Sequence, residues 1–259
     1  MKKAIVAALV ALFLTSGLLV GCVGDIITGS GNLETEEMDF SEFTRVEVSS
    51  AFEVEIAQSD SYSVSVTADD NLFDYIQVSK VGETLKIGLR TVSIQWPATL
   101  QANVTMPQLH GLNLSGATNG TASGFTSTEN LDIEVSGASS IELAEISAGD
   151  AMLNISGASD VTGDITAGDV NLNVAGASTV QLEGSASDIV VEASGASRVK
   201  LGDFTINNAD VSLSGASSGT VNLSGRLDAD LSGASNLEYI GEPTLGTMNI
   251  SGASTLSSK

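Results

Sequence analysis

Ser136-Gly137-Ala138-Ser139, Ser156-Gly157-Ala158-Ser159 and Ala175-Gly176-Ala177-Ser178 are consecutive copies of one four-residue phrase. The series opens at Ser115-Gly116-Ala117-Thr118. It runs on through Ser194-Gly195-Ala196-Ser197, Ser214-Gly215-Ala216-Ser217 and Ser232-Gly233-Ala234-Ser235 to Ser251-Gly252-Ala253-Ser254. From glycine to glycine the spacings are 21, 20, 19, 19, 20, 18 and 19 residues. Eight copies at a nearly constant period mark a repeat architecture, in which each unit buries its apolar side against its neighbours.

The residues around each phrase alternate. Leu112-Asn113-Leu114, Ile133-Glu134-Val135, Leu153-Asn154-Ile155 and Leu172-Asn173-Val174 lead into it, and Ile141-Glu142-Leu143, Val180-Gln181-Leu182 and Val199-Lys200-Leu201 follow it. Period-two alternation rich in aliphatic residues predicts strands with one buried face. Two strands per twenty residues are too few for a propeller blade, which needs four. They suit one coil of a parallel β-helix, each strand pairing with its equivalent one coil away at about 4.8 Å. The glycine then makes a tight corner. The alanine is expected to stack on itself in a thin core, and the flanking serines to form hydroxyl ladders along the column.

Composition supports a slender core. Hydrophobic residues make up 42% of the chain, yet aromatics only 4%, so the interior must be filled by layers of aliphatic and small side chains at ordinary density. The net charge is −22, and −24 without Lys2 and Lys3. Such a surface repels phosphate backbones, which argues against nucleic acid as a partner. Cys22 is the one cysteine, so neither an internal disulfide nor a thiolate metal site can form.

At the front, Lys2-Lys3 and the apolar run Ala4 to Leu14 form a leader too short to span a membrane. Leu19-Val20-Gly21-Cys22 resembles the lipobox of prokaryotic lipoproteins. That resemblance implies diacylation of Cys22, and two acyl chains suffice for stable membrane attachment. The expected division is a signal peptide over 1–21, the lipidated Cys22 and a flexible tether over 22–38, an N-terminal cap with degenerate first coils over 39–109, and regular coils over 110–259. Within the cap, Arg45-Val46-Glu47-Val48-Ser49-Ser50-Ala51-Phe52-Glu53-Val54 reads as a degenerate repeat with Ser50 where glycine should stand, and Asp69 to Ile76 as a capped helical turn.

Residues 38–256 resemble the head GIN domain family of putative auto-transporter adhesins. The likeness lies in Phe43 to Val54, in Ala68-Asp69-Asp70-Asn71-Leu72, in Leu85-Lys86-Ile87 and in the serial Ser-Gly-Ala-Ser phrases. It implies a right-handed parallel β-helix in an exported prokaryotic protein, often a lipoprotein. No functional residues come with it, and Ser50 departs from the family's usual glycine.

Candidate chemistry is sparse. Seven residues before the repeat glycines stand Asn130, Asp150, Asp169, Asp188 and Asn208. Stacked one coil apart, Asp150, Asp169 and Asp188 form either a cation ladder, for instance for calcium, or a row of turn residues bonded through their own side chains. Trp96, before Pro97, either stacks on a sugar or partner or covers the end of the column. His110 reads as a surface or turn residue and not as a catalyst. No nucleophile is flanked by a base, no convergent carboxylates are evident, and no catalytic residue or cofactor is expected. The chain is therefore expected to be a non-catalytic, envelope-anchored surface protein that touches the membrane through its lipid and binds a surface glycan or protein. The alternatives are a polysaccharide-processing enzyme and a self-assembling structural protein. For the last, the terminal coil matters: it either exposes strand edges that invite end-to-end association or is covered by the segment 238–243.

Overall fold

The computed structural model describes residues 26–90, 93–95 and 97–259; the leader, Cys22 and Trp96 lie outside them. Alternation decides the fold. Leu112, Ile133, Leu153, Leu172, Val191, Val211 and Ala229 are all buried and pair in parallel, one above the next, on a first face. On a second face, Ile141, Val161, Val180 and Val199 stack in the same way. A short third row carries the chain back, with Ile146 beside Ile165 and Gly184 beside Phe204. Register slips at Leu143/Ile146, Gln181/Glu183 and Leu201/Thr205 mark the second bend, as bulges do. The result is a parallel β-solenoid with coils of about 20 residues, as the repeat predicts.

The corner phrase differs from expectation in one respect. All eight repeat glycines have φ between 70 and 82°, the left-handed region that glycine enters without steric cost. A Cβ on any repeat glycine from Gly137 onward would fall 2.3–2.6 Å from the carbonyl oxygen of the repeat glycine one coil below. That oxygen accepts the next coil's alanine N–H, as in Ala177 to Gly157 at 2.8 Å and Ala196 to Gly176 at 2.7 Å. The alanines themselves are exposed; they do not stack in the core. The fourth residue is the buried one: Thr118, Ser139, Ser159, Ser178, Ser197, Ser217 and Ser235 are at most 1% exposed. Across the corner alanine points out and serine points in, while the glycine, itself exposed, makes the turn with the place of its missing Cβ against the backbone of the coil below.

The buried serine closes its own corner. Ser159, Ser178, Ser197, Ser217 and Ser235 each donate to the carbonyl three residues back, at 2.6–3.0 Å. The Ser178 hydroxyl also accepts the Ser159 N–H at 3.3 Å. The expected hydroxyl-to-hydroxyl ladder is thus a set of hydroxyl-to-backbone clasps, in which the buried hydroxyl takes the half-buried carbonyl at the bend as its acceptor.

The front end departs from sequence order. The rung 45–58 lies between the rung 84–106 and the rung 111–123, so the chain steps outward to build the cap and then returns. Antiparallel strands Leu33–Met38, Ser63–Asp69 and Ile76–Val81 close that end together with the 3-10 helix Asp70–Tyr75. Residues 26–38, expected as flexible tether, are therefore paired from Ile26 onward. Asp69 fastens them, accepting the N–H of Gly31 at 2.6 Å and of Thr99 at 2.8 Å while 3% exposed. Ser50 keeps the corner conformation at φ 72°, a strained place for a residue with a Cβ.

Two substitutions separate the roles in the corner. Ser178→Ala should cost about 1–3 kcal/mol, the penalty for stranding buried backbone groups. Ala177→Ser should stay within about 0.5 kcal/mol, as at an ordinary surface position. Urea unfolding of residues 26–259 reads both.

Candidate functional site

A slender solenoid leaves no room for an internal site, so chemistry is confined to the outward columns. On the first face these are fixed by the register. Glu134, Asn154, Asn173, Glu192, Ser212 and Asp230 form one rail, stepping one coil at a time. The first corner residues, Ser156, Ala175, Ser194, Ser214 and Ser232, form a second rail two residues further along each strand. Between the rails the chain shows only backbone, because Ile155, Val174, Ala193 and Leu213 point inward. The two rails bound an open trough of about 550 Å³ that crosses six coils.

The trough offers carboxylates, carboxamides and hydroxyls, and no base. Asn173 donates to Asn154 at 3.0 Å and to Asn171 at 3.2 Å. The two guanidinium groups nearby are already engaged. Arg45 reaches past Gly111 to Asp132 at 2.7 Å. Arg226 grips Asp228 through two nitrogens at 2.5 and 2.7 Å. Those hydrogen bonds, with the Thr247 N–H next, hold the Asp228 carboxyl well below the usual carboxylate range. The face therefore presents uncompensated negative charge in the trough, which disfavours anionic ligands. Glu192 and Asp230 share it two coils apart, about 10 Å by coil spacing, and both are exposed. They lack the enclosure with which acid–base sites tune their carboxyl groups.

The aspartate row has a structural role. The Asn130 side-chain oxygen accepts the Asp150 N–H at 3.0 Å, Asp150 accepts from Asp169 at 3.0 Å, and Asp169 from Asp188 at 3.2 Å. Asp188 accepts both the N–H and the side-chain amide of Asn208, at 3.2 and 2.8 Å, and Asn208 accepts from Arg226. Each side chain thus caps the turn one coil further on, the row of turn residues that the spacing allowed as an alternative to a cation ladder. Among the described residues no three His, Cys, Asp or Glu converge to hold a metal ion. Trp96 lies outside the described residues; its neighbour Pro97 is exposed. His110 joins the stack through its backbone, donating to Thr44 and accepting from Asp132. Its Nε2 is buried without a partner. The trough itself escaped sequence reading, although its outward residues were visible, because which columns stand side by side depends on the register.

Residues 42–243 match the model of a family described as putative auto-transporter adhesin, head GIN domain. No curated protein matches the chain. Among solved structures, a putative adhesin from Parabacteroides merdae superposes with a TM-score of 0.84 at 18% identity, over 91% of this chain and 99% of that one. A putative lipid binding protein from Parabacteroides distasonis gives 0.80 at 21% identity, over 90% and 99%. A putative adhesin from Bacteroides fragilis gives 0.71 at 22% identity, over 90% and 100%. At these identities the likeness establishes a shared fold.

Two measurements probe the electrostatics and the ladder. Asp169→Asn keeps the accepting oxygen and should leave stability within about 0.5 kcal/mol, whereas Asp169→Ala should cost about 1–2 kcal/mol, both by urea unfolding. The folded Asp228 carboxyl titrates below its ordinary value of 3.8, so its stabilisation is complete at neutral pH and is lost as pH falls below about 4. Amide protection factors at residues 244–250 should fall over that range, and in Arg226→Gln should already be reduced at pH 7.

Proposed function

This chain belongs to the head GIN domain family of putative auto-transporter adhesins, and on that premise we propose a non-catalytic, lipid-anchored envelope adhesin. In this reading Cys22 carries the lipid and the solenoid stands off the envelope, exposing its flanks. The ligand lies in the first-face trough. One observation carries the assignment: the first rail of the trough places a polar side chain on every coil, at about 4.8 Å, over six coils. A groove of that kind fits an extended, uncharged and hydroxyl-rich polymer lying along the axis, which is a neutral glycan strand.

The absence of bases in the trough disfavours uronates, phosphates and sulfated chains. No aromatic ring lines it, so stacking contributes nothing and each unit binds weakly. Adhesion then relies on many contacts along one polymer and on many copies on one surface, the multivalent regime. The open shape agrees with attachment to a long polymer better than with enclosure of a small molecule.

Residues 26–259 are expected to bind neutral envelope polysaccharide at high micromolar concentration in a glycan array and by calorimetry. Asn154→Arg with Asn173→Arg should weaken binding more than tenfold at unchanged melting temperature. An array in which only acidic glycans respond, or none does, would remove the trough from the argument. Cys22→Ala in the full chain should move the protein from the membrane fraction to the soluble one; retention in the membrane would refute the anchor.

A further inference from the structure

Without Lys2 and Lys3, eight of the ten basic residues remain, against 32 acidic ones. Five of the eight are engaged. Arg45, Lys86 and Arg226 sit in ion pairs with Asp132, Glu47 and Asp228. Lys80 donates to the carbonyl of Ser41 at 2.7 Å, and the Arg90 guanidinium lies 5.8 Å from the centroid of the Tyr75 ring. The other three, Arg198, Lys200 and Lys259, border one open hollow of about 390 Å³ on the second face. Among the described residues neither Arg198 nor Lys200 enters an ion pair.

The register gives the reason. Arg198 stands between Thr179 and Ser218, and Lys200 between Gln181 and Thr220, one coil to either side. A base that serves only the sheet finds its carboxylate directly across the strands, as Lys86 finds Glu47. Here those places hold three hydroxyls and a carboxamide, and the contact made is a long one, Lys200 to the Gln181 oxygen at 3.4 Å. Along the same two columns carboxylates return only two coils away, at Asp160 and Glu238, about 10 Å by coil spacing. Glu238 stands in the strand Asn236–Ile240, paired on both sides. The segment 238–243 therefore begins within a coil and does not fold over the next one. Asp203 borders the hollow beside Glu183, its register partner, and pairs with neither base.

We propose that Arg198 and Lys200 bind the carboxylate of a single acidic sugar in an otherwise neutral glycan. The two cations leave one side of one strand about 6.6 Å apart at the backbone. The guanidinium fork matches a carboxylate, the ammonium closes on its far side, and Thr179, Ser218 and Thr220 offer hydroxyls to the sugar ring. The surroundings set the ligand's charge. A polyanion lying along the column would pass the two bases and meet Asp160 on one side and Glu238 on the other. An anionic membrane or a nucleic acid would face a chain of net charge −24. A lone carboxylate meets the cations and no neighbour that repels it at contact. The Gly195-Ala196 corner separates this hollow from Ser194 on the trough's second rail. The site thus stands without the trough and without the anchor: the trough disfavours charge, and the hollow selects one.

Nuclear magnetic resonance on residues 26–259, which hold the whole solenoid, tests this. A glucuronyl-glucose disaccharide should shift the amides of residues 179–181, 198–200 and 218–220, half-saturating at low millimolar concentration, as exposed charge contacts allow. High salt should abolish those shifts. Glucosyl-glucose should cause none of them, and acetate should need at least tenfold more. Arg198→Gln with Lys200→Gln should weaken disaccharide binding more than tenfold at unchanged melting temperature. Lys80→Gln with Arg90→Gln, the same loss of charge at the front, should leave it unchanged. No shift at these residues up to about 20 mM, an equal response to acetate, or tighter binding of polygalacturonate per carboxylate would each overturn the proposal. So would binding that survives the loss of Arg198 and Lys200. Shifts confined to residues 154, 173 and 192 would keep the trough and overturn the acidic-sugar site.

Discussion

The close approach of one glycine backbone to the next governs the molecule. At each corner the carbonyl of one coil's glycine accepts an N–H from the coil above, in a space that a Cβ would enter to within 2.6 Å or less. Only glycine both adopts the positive φ and vacates that volume. Once the corners align, the strands between them have no freedom of register, since a slip of one residue would turn every aliphatic side chain outward. The buried serine completes the bend by taking the corner carbonyl as its acceptor.

From that constraint follows where chemistry can occur. The interior is a single file of Leu, Ile, Val and Ala with a few phenylalanines, and has no volume for a ligand. Every polar side chain is forced into one of a few straight columns at coil spacing. In the turn column, acidic residues are absorbed into structure, each carboxylate capping a backbone N–H one coil on. In the first-face columns the groups are free to meet solvent and a ligand. Similar residue types thus serve as scaffold in one column and as surface in another, according to whether a backbone donor faces them.

Adhesion suits such an object. A rod stapled along its whole length by hydrogen bonds keeps its binding groups in fixed relative positions, so a polymer ligand meets a preorganised row and loses less freedom than it would on a flexible chain. The ends complete the design. One is closed by antiparallel strands and glutamates, and Asp69 ties the incoming chain to it. At the other, the corner motif continues unchanged to Gly252.

The repeat period, the alternation and the glycine phrases were enough to specify the solenoid, its coil length and its aliphatic core, because these depend on local spacing alone. Parity through the corner was legible as well: counting by twos from Val135 reaches Ser139 and leaves Ala138 outside, and expecting alanine inside neglected that count. The role of the aspartates was half legible, since Asx capping belongs to turn chemistry, but the donor they cap lies a full coil away. The order of rungs at the front, where 45–58 sits inside 84–106, was beyond sequence reading, as was the pairing of residues 26–38. Both depend on which apolar edge each segment covers. Which outward columns stand together as a trough was likewise settled by stacking, because lateral neighbours in a solenoid are set by register between coils and not by distance along the chain.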